Sequence, residues 1–421
     1  MATVPARDRG TTRLNAAVMG VEMASFMGAL GLFSPVTLVP LFVSKLTESP
    51  LAIGAVTAAN QLGWLPQLLA VGVIEQSRRK WPWVLVISAL ERLPILALAL
   101  IPLFLDQIGA PMAIAGVLLC MFGLTLGGGL ATMPWMDVLS KVVPASLRGR
   151  FFGAATTVGQ AVGALAALFT APLLDELPFP QGFVACFGVG FAVLAVGYLL
   201  LLFVVEPAGP EPLAPRPFSE QMASLAAVFR VDRPFAMYVG GLCLSVLGTM
   251  GAGFLAVYAA ERHAAPDELV GWFTAAYLVS QLIANPLLGW FADHRGYSSL
   301  ATLSTSIWVA GSLAALFAPG AVWMIVPFVM LGAAHSGQML ARMAGAVHFA
   351  PVDRRPSYIA LANGLAGLAG TAAPLAGGII AGWLGYEWLF GLSALISLAS
   401  SFVLMRIGQI EMTSAPERSG S

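Results

Sequence analysis

Long apolar runs recur along this chain at intervals that few folds accommodate. A helix needs about 20 mostly apolar residues to cross a hydrocarbon layer about 30 Å thick, because each residue rises about 1.5 Å. Twelve runs reach that length, at 16–43, 51–74, 83–105, 111–140, 150–173, 183–205, 234–259, 268–291, 299–318, 322–348, 357–382 and 388–406. Short polar or Pro/Gly-rich breaks separate them, as at Glu48-Ser49-Pro50 and Asp175-Glu176-Leu177-Pro178. Composition agrees, with 58% of the 421 residues apolar and 10% charged, against about 25% charged in soluble domains. So little charge cannot cover a water-exposed surface of this size. That excludes a disordered chain, a secreted disulfide scaffold and an ordinary soluble enzyme. The expected fold is an all-α membrane protein with twelve transmembrane helices.

The basic residues orient those spans. Of the 21, only Lys45 and Arg262 fall on the side opposite the N-terminus, and Arg92 and Arg342 lie within spans. Cytoplasmic loops carry the excess of Lys and Arg, so both termini are expected in the cytoplasm of a multi-pass cytoplasmic (inner) membrane protein. The first run follows Arg7, Arg9 and Arg13 and is too long for a signal-peptide core, so it reads as a span and not a cleaved leader. The formal net charge is zero and no basic stripe offers a nucleic-acid surface. Cys120, Cys186 and Cys243 are scattered through apolar runs, a pattern of packing residues with no disulfide or metal spacing. No metal site and no cofactor are expected.

The chain divides in two. Residues 206–233 begin Glu206-Pro207-Ala208-Gly209-Pro210-Glu211-Pro212, a proline-dense stretch that reads as a linker. It leaves six spans in 1–205 and six in 234–421. Pro144, Arg148 and Phe151 after the fourth span match Pro351, Arg355 and Tyr358 after the tenth, at an offset of 207 residues. Gly72 and Arg78 match Gly289 and Arg295 at an offset of 217. Two similar loops at equivalent places point to duplication.

With these features the chain resembles the major facilitator superfamily. Gly289-Trp-Phe-Ala-Asp293-His-Arg295-Gly296 is similar to that family's G-x-x-x-D-x-x-G loop. The first-half copy, from Gly72 to Arg78, is degenerate, with Gln76 at the acidic position and Glu75 one place early. The Pro144–Arg150 stretch is similar to the family's P-x-x-x-R-G loop. The resemblance implies two pseudo-symmetric six-helix bundles. It also implies gating roles for the loop residues Gly72, Arg78, Gly289, Asp293, Arg295, Gly296, Arg148 and Arg355. A carboxylate at Asp293 can latch the halves by meeting the positive N-terminus of a facing helix; the plainer reading is that these charges only set orientation. The drug-antiporter branch carries an Arg in span four, whereas here the stretch is Leu124-Thr125-Leu126-Gly127-Gly128-Gly129.

Ionisable groups within spans are costly and mark function. Glu22, Glu91 and Asp137 are the proton-coupling candidates. Glu22 leads because the resemblance places span one on a central cavity; a salt bridge to Arg92 is its alternative. Glu91 and Arg92 are adjacent, about 100° apart on a helix, so they are expected to face different partners, with Arg92 in buried charge pairing. His335, Gln338 and Arg342 fall on one face of span ten. They suit an anionic solute, since a guanidinium takes a carboxylate by two bonds; Arg342 as a gate is the alternative. Phe26, Phe33, Trp135, Asn60, Gln61, Trp64 and Gln281 complete the substrate-binding candidates, with helix packing the competing role for the polar ones.

The expected function is secondary transport of a small organic solute by alternating access, as proton-coupled efflux. Proton-coupled uptake of a nutrient or organic anion, or an uncoupled facilitator, is the alternative, and a non-transporting sensor or scaffold a remote one. No G-x-x-x-x-G-K-[ST] loop for ATP and no H-E-x-x-H metal motif occurs, so an enzyme is not expected. The expected partners are a small-molecule solute, protons and the lipid bilayer. One chain holds both halves, so a monomer suffices.

Overall fold

The computed structural model describes residues 9–65, 79–143, 145–206, 232–350 and 355–414. Among the described residues all regular structure is helical. In hydrocarbon each backbone N–H and C=O must find its partner inside the segment, which a helix achieves. Eleven stretches are long and apolar enough to cross a membrane. The twelfth expected span, 51–74, begins as a helix at Pro50–Leu62, and its continuation at 66–78 lies outside the described residues. The linker at 207–231 lies outside them too.

The N-terminal half contains α1 (Arg9–Phe33), α2 (Leu38–Ser44), α3 (Pro50–Leu62), α4 (Trp81–Leu103), α5 (Leu105–Val142), α6 (Ala145–Leu168), α7 (Thr170–Glu176) and α8 (Gln181–Leu201). The C-terminal half contains α9 (Arg233–Gly248), α10 (Leu255–His263), α11 (Leu269–Arg295), α12 (Tyr297–Leu316), α13 (Ile325–Leu340), α14 (Ala346–Phe349), α15 (Arg355–Leu384) and α16 (Tyr386–Ser414). The first and seventh runs are each interrupted. A turn after Ser34, where Pro35 supplies no N–H, separates α1 from α2. A 3₁₀ turn at Thr249–Phe254 separates α9 from α10. The 217-residue offset carries Ser34 onto Gly251, so the two breaks are equivalent by the internal repeat.

Each half has its own aromatic core. Phe42, Phe183 and Phe187 cluster in the first, with Phe42 and Phe183 centroids 5.1 Å apart. Phe273 and Phe328 stack in the second at 4.8 Å, and Trp308 donates its indole N–H to the Gly248 carbonyl at 2.8 Å. Leu119, Phe169, Phe317 and Trp383 stand exposed on the outer surface. An apolar exterior of this kind is stable against lipid and not against water.

The halves meet along two seams, α3 against α15 and α6 against α11. Exchanging the halves converts one seam into the other, which is the pseudo-two-fold symmetry expected of a duplication. Glycine permits both approaches. A Cβ on Gly54 would collide with the Pro374 carbonyl, and one on Gly271 with the Ala167 carbonyl and Thr170 hydroxyl. At the end remote from the termini, Lys45 pairs with Asp267 at 2.9 Å and the Thr37 and Thr274 hydroxyls meet at 2.5 Å. Deeper in, Gln160 bonds to Gln281 and Asn285, each at 3.4 Å. These cross-half bonds lie between the remote end and mid-depth.

Candidate functional site

The described intramembrane carboxylates Glu22 and Glu91 gather on one arginine. Arg92, on α4, donates from Nη2 to Glu22 Oε1 of α1 at 3.0 Å and from Nη1 to Glu91 Oε2 at 3.1 Å. Nη1 also reaches the Ser88 carbonyl at 2.8 Å, Nε the Leu194 carbonyl at 3.5 Å, and the guanidinium carbon lies 5.3 Å from the Tyr198 ring centre. All three charged side chains are largely shielded. The expectation that Glu91 and Arg92 face different partners is therefore corrected. The arginine stem is long enough to fold back over the preceding turn, so helical spacing at Cα does not fix where the guanidinium sits. The glycines of span four make room, because a Cβ on Gly127 would strike Glu91. One cation for two carboxylates leaves the cluster short by one positive charge, which a proton can supply. Trp135 stands beside Glu22.

A small, open cavity is lined mostly by the second half, with Gln61 of the first half at its wall. His335, Gln338 and Arg342 all line it, as the shared face on span ten requires, and Ser245, Thr249 and Gln61 add polar groups. Gln338 Nε2 donates to Ser245 Oγ at 2.9 Å, and Ser245 Oγ lies 2.7 Å from Thr305 Oγ1. His335 is exposed to the cavity and its ring meets Tyr277 edge-on at 6.1 Å. Arg342 sits in a π-helical turn, Ala341–Gly345. Such turns carry one extra residue per ring and are frequent at functional sites. The sequence pattern did not signal this turn, nor Ser245, Thr249 and Met339 as lining residues.

Other expected residues fall elsewhere. Phe33 is 0% exposed and packs against Gly190, so it fills the helix interface and is no cavity residue. Gln281 sits in the α6–α11 seam, bonded to Gln160, in the packing role that competed with binding. Phe26 packs on the first core, Asn60 is half-buried, and Trp64 reaches towards Gly128 beside Glu91. Asp137 is paired with Lys141 at 2.7 Å, near the end carrying the termini. Gly289 has open space at its Cβ position, and Asp293 and Arg295 are exposed beside Gly296, whose φ is 80°. Gly72 and Arg78 lie outside the described residues, as do the side chains of Arg148 and Arg355.

Glu206, the first residue of the linker, was not singled out by its sequence. Its carboxylate accepts from the backbone N–H of Lys80 at 3.0 Å and of Trp81 at 2.9 Å, and from Lys141 Nζ at 2.8 Å. Burial alone would push its carboxyl up; the Lys141 ammonium and the two backbone donors together outweigh that and hold it below the usual carboxylate range. It ties the exit of α8 to the start of α4 and the end of α5.

Comparison with known proteins agrees with this architecture. The Major Facilitator Superfamily model matches residues 237–419. The chain is similar to the efflux pump aflT of Aspergillus parasiticus, 28% identical over 149 residues, which cover 34% of this chain and 28% of that protein. It is also similar to the MFS-type efflux pump MFS1 of Arthroderma benhamiae, 26% identical over 37% of this chain and 30% of that protein. These matches span less than a third of either relative's length. Among solved structures, the nucleoside transporter NupG superposes with a TM-score of 0.70 at 12% identity, covering 93% of this chain and 98% of that one. A bacterial homologue of the iron transporter ferroportin, in an inward-facing state, gives 0.70 at 16% identity over 94% and 98%. At such identities the likeness is one of fold. The family match covers most of the C-terminal half, and the likeness of fold covers both halves.

Proposed function

We propose that this protein is a secondary transporter. It moves a small organic solute across the cytoplasmic membrane by alternating access, as a proton-coupled exporter working as a monomer with both termini in the cytoplasm. The observation that carries the reading is a cavity between two bundles that are bonded to each other at the remote end. Two bundles hinged in this way can rock about a midplane site. The skew of Lys and Arg supports a bonded end facing away from the cytoplasm. The Glu22–Arg92–Glu91 cluster, short of one positive charge, supports proton coupling. The relatives named as efflux pumps support export.

Glu22→Gln tests the coupling. In proteoliposomes with an imposed pH gradient, the variant is expected to insert normally and to lose gradient-driven solute flux. Unchanged flux would remove Glu22 from the mechanism. Uptake of an organic anion is the second reading, supported by Arg342 and His335 on one cavity wall. Reversing the imposed gradient separates the two, since only the productive direction accumulates solute.

A further inference from the structure

The two intramembrane arginines are treated differently by the fold. Arg92 has two carboxylates, two carbonyls and an aromatic face around it. Arg342 has no ion pair and, for Nε, no hydrogen-bond partner among the described residues. Its Nη2 donates to Met339 Sδ at 3.0 Å, and a thioether is a weak acceptor. Nε and Nη2 form the side-on edge of the guanidinium, the edge that takes a carboxylate by two parallel bonds. No Asp or Glu lines the cavity. A permanent cation thus presents a bidentate edge whose one hydrogen bond among the described residues goes to a methionine that is itself 42% exposed.

We propose that this cavity binds an organic monocarboxylate, held side-on by Arg342 once Met339 swings aside. The rest of the wall fits such a ligand. Leu242, Val246 and Ala366 give an apolar surface for the hydrocarbon body, and Gln338 and Thr249 give polar groups beside the head. The lining holds one fixed cation, which balances one negative charge and not the two of a phosphate monoester. Methionine is suited to the covering role because its unbranched chain repacks at little cost. The assignment deepens the transporter reading by naming the class of its cargo, and rests on that reading for the ligand being cargo.

The experiment is equilibrium binding to the full chain in detergent micelles, by calorimetry and by thermal unfolding. The probes are benzoate, 3-phenylpropionate, benzamide and phenyl phosphate. Either carboxylate is expected to bind one per chain and raise the melting temperature, while benzamide does neither. Arg342→Lys, which keeps the charge and loses the fork, is expected to weaken carboxylate binding by about tenfold. Met339→Leu removes the sulfur, keeps the bulk and is expected to bind several-fold more tightly, and its fold is checked by its unliganded melting temperature. Equal binding of benzamide, tighter binding of phenyl phosphate, unchanged affinity in Arg342→Lys, or no binding of either carboxylate would each overturn the assignment. Carboxylate binding without flux in proteoliposomes would instead sink the transporter reading, and flux of another solute without carboxylate binding would sink only the ligand.

Discussion

A buried charge is stable only with a partner, and single residues here show three solutions. Arg92 is neutralised by two carboxylates, Arg342 is left to a thioether, and Glu206 is held by an ammonium and two backbone donors. The last gives a sharp pH dependence. The folded Glu206 carboxyl titrates below its ordinary value of 4.5, so the folded state favours the ionised form. Its contribution is complete above that value and is lost as pH falls through the folded pKa, when the unfolded chain binds the proton first. Glu206→Gln is expected to cost about 2 kcal/mol at neutral pH, the scale of a hydrogen bond to a charged group. As the pH drops below the ordinary carboxyl value, the gap to the wild type should close. Melting temperatures of both proteins from neutral into acid solution would check it; a constant gap would contradict it. The residue was invisible in the sequence because nothing local distinguishes it from Glu211 or any other linker acid.

At the level of elements, glycine decides which helices approach. The α3–α15 seam closes over Gly54, where the Pro374 carbonyl occupies the space of a side chain. Gly54→Leu is expected to part the halves at the remote end. Spin-label distances between the remote ends of α3 and α15 should lengthen, and an unchanged distribution would show the seam tolerates the side chain. The glycine-rich character of span eleven was plain in the sequence, and its neighbour was not. Gly367 and Gly370 face Leu65 and Gln61 of span two, and Gly378 faces Leu51. The π turn around Arg342 was equally hidden. Ala341–Gly345 contains good helix formers, and within the turn the Ala341 carbonyl accepts from the Tyr238 hydroxyl of α9 at 2.8 Å, a partner that the local sequence does not reveal.

Across the whole molecule, two bundles are bonded to each other at the end remote from the termini. Lys45–Asp267 and Thr37–Thr274 belong to that end, and Asp293 stands exposed at the other. A latch at Asp293 would act in the opposite conformation, when the ends carrying the termini approach. Asp293→Asn is therefore expected to raise the population seen in this structure. Distances between labels on α5 and α12 at that end would report it, and no shift would leave Asp293 without a latching role.

The sequence alone determined the helical membrane fold and the shared face of His335, Gln338 and Arg342. Those follow from local rules: apolar length set by bilayer thickness, and helical period. Only the tertiary structure decided that Arg92 collects both Glu22 and Glu91, that Gln281 and Phe33 pack between helices, and that Arg342 stands without a carboxylate. Partner choice depends on which helices lie side by side and on how far a long side chain can swing, and neither quantity is written in the spacing of residues along one helix.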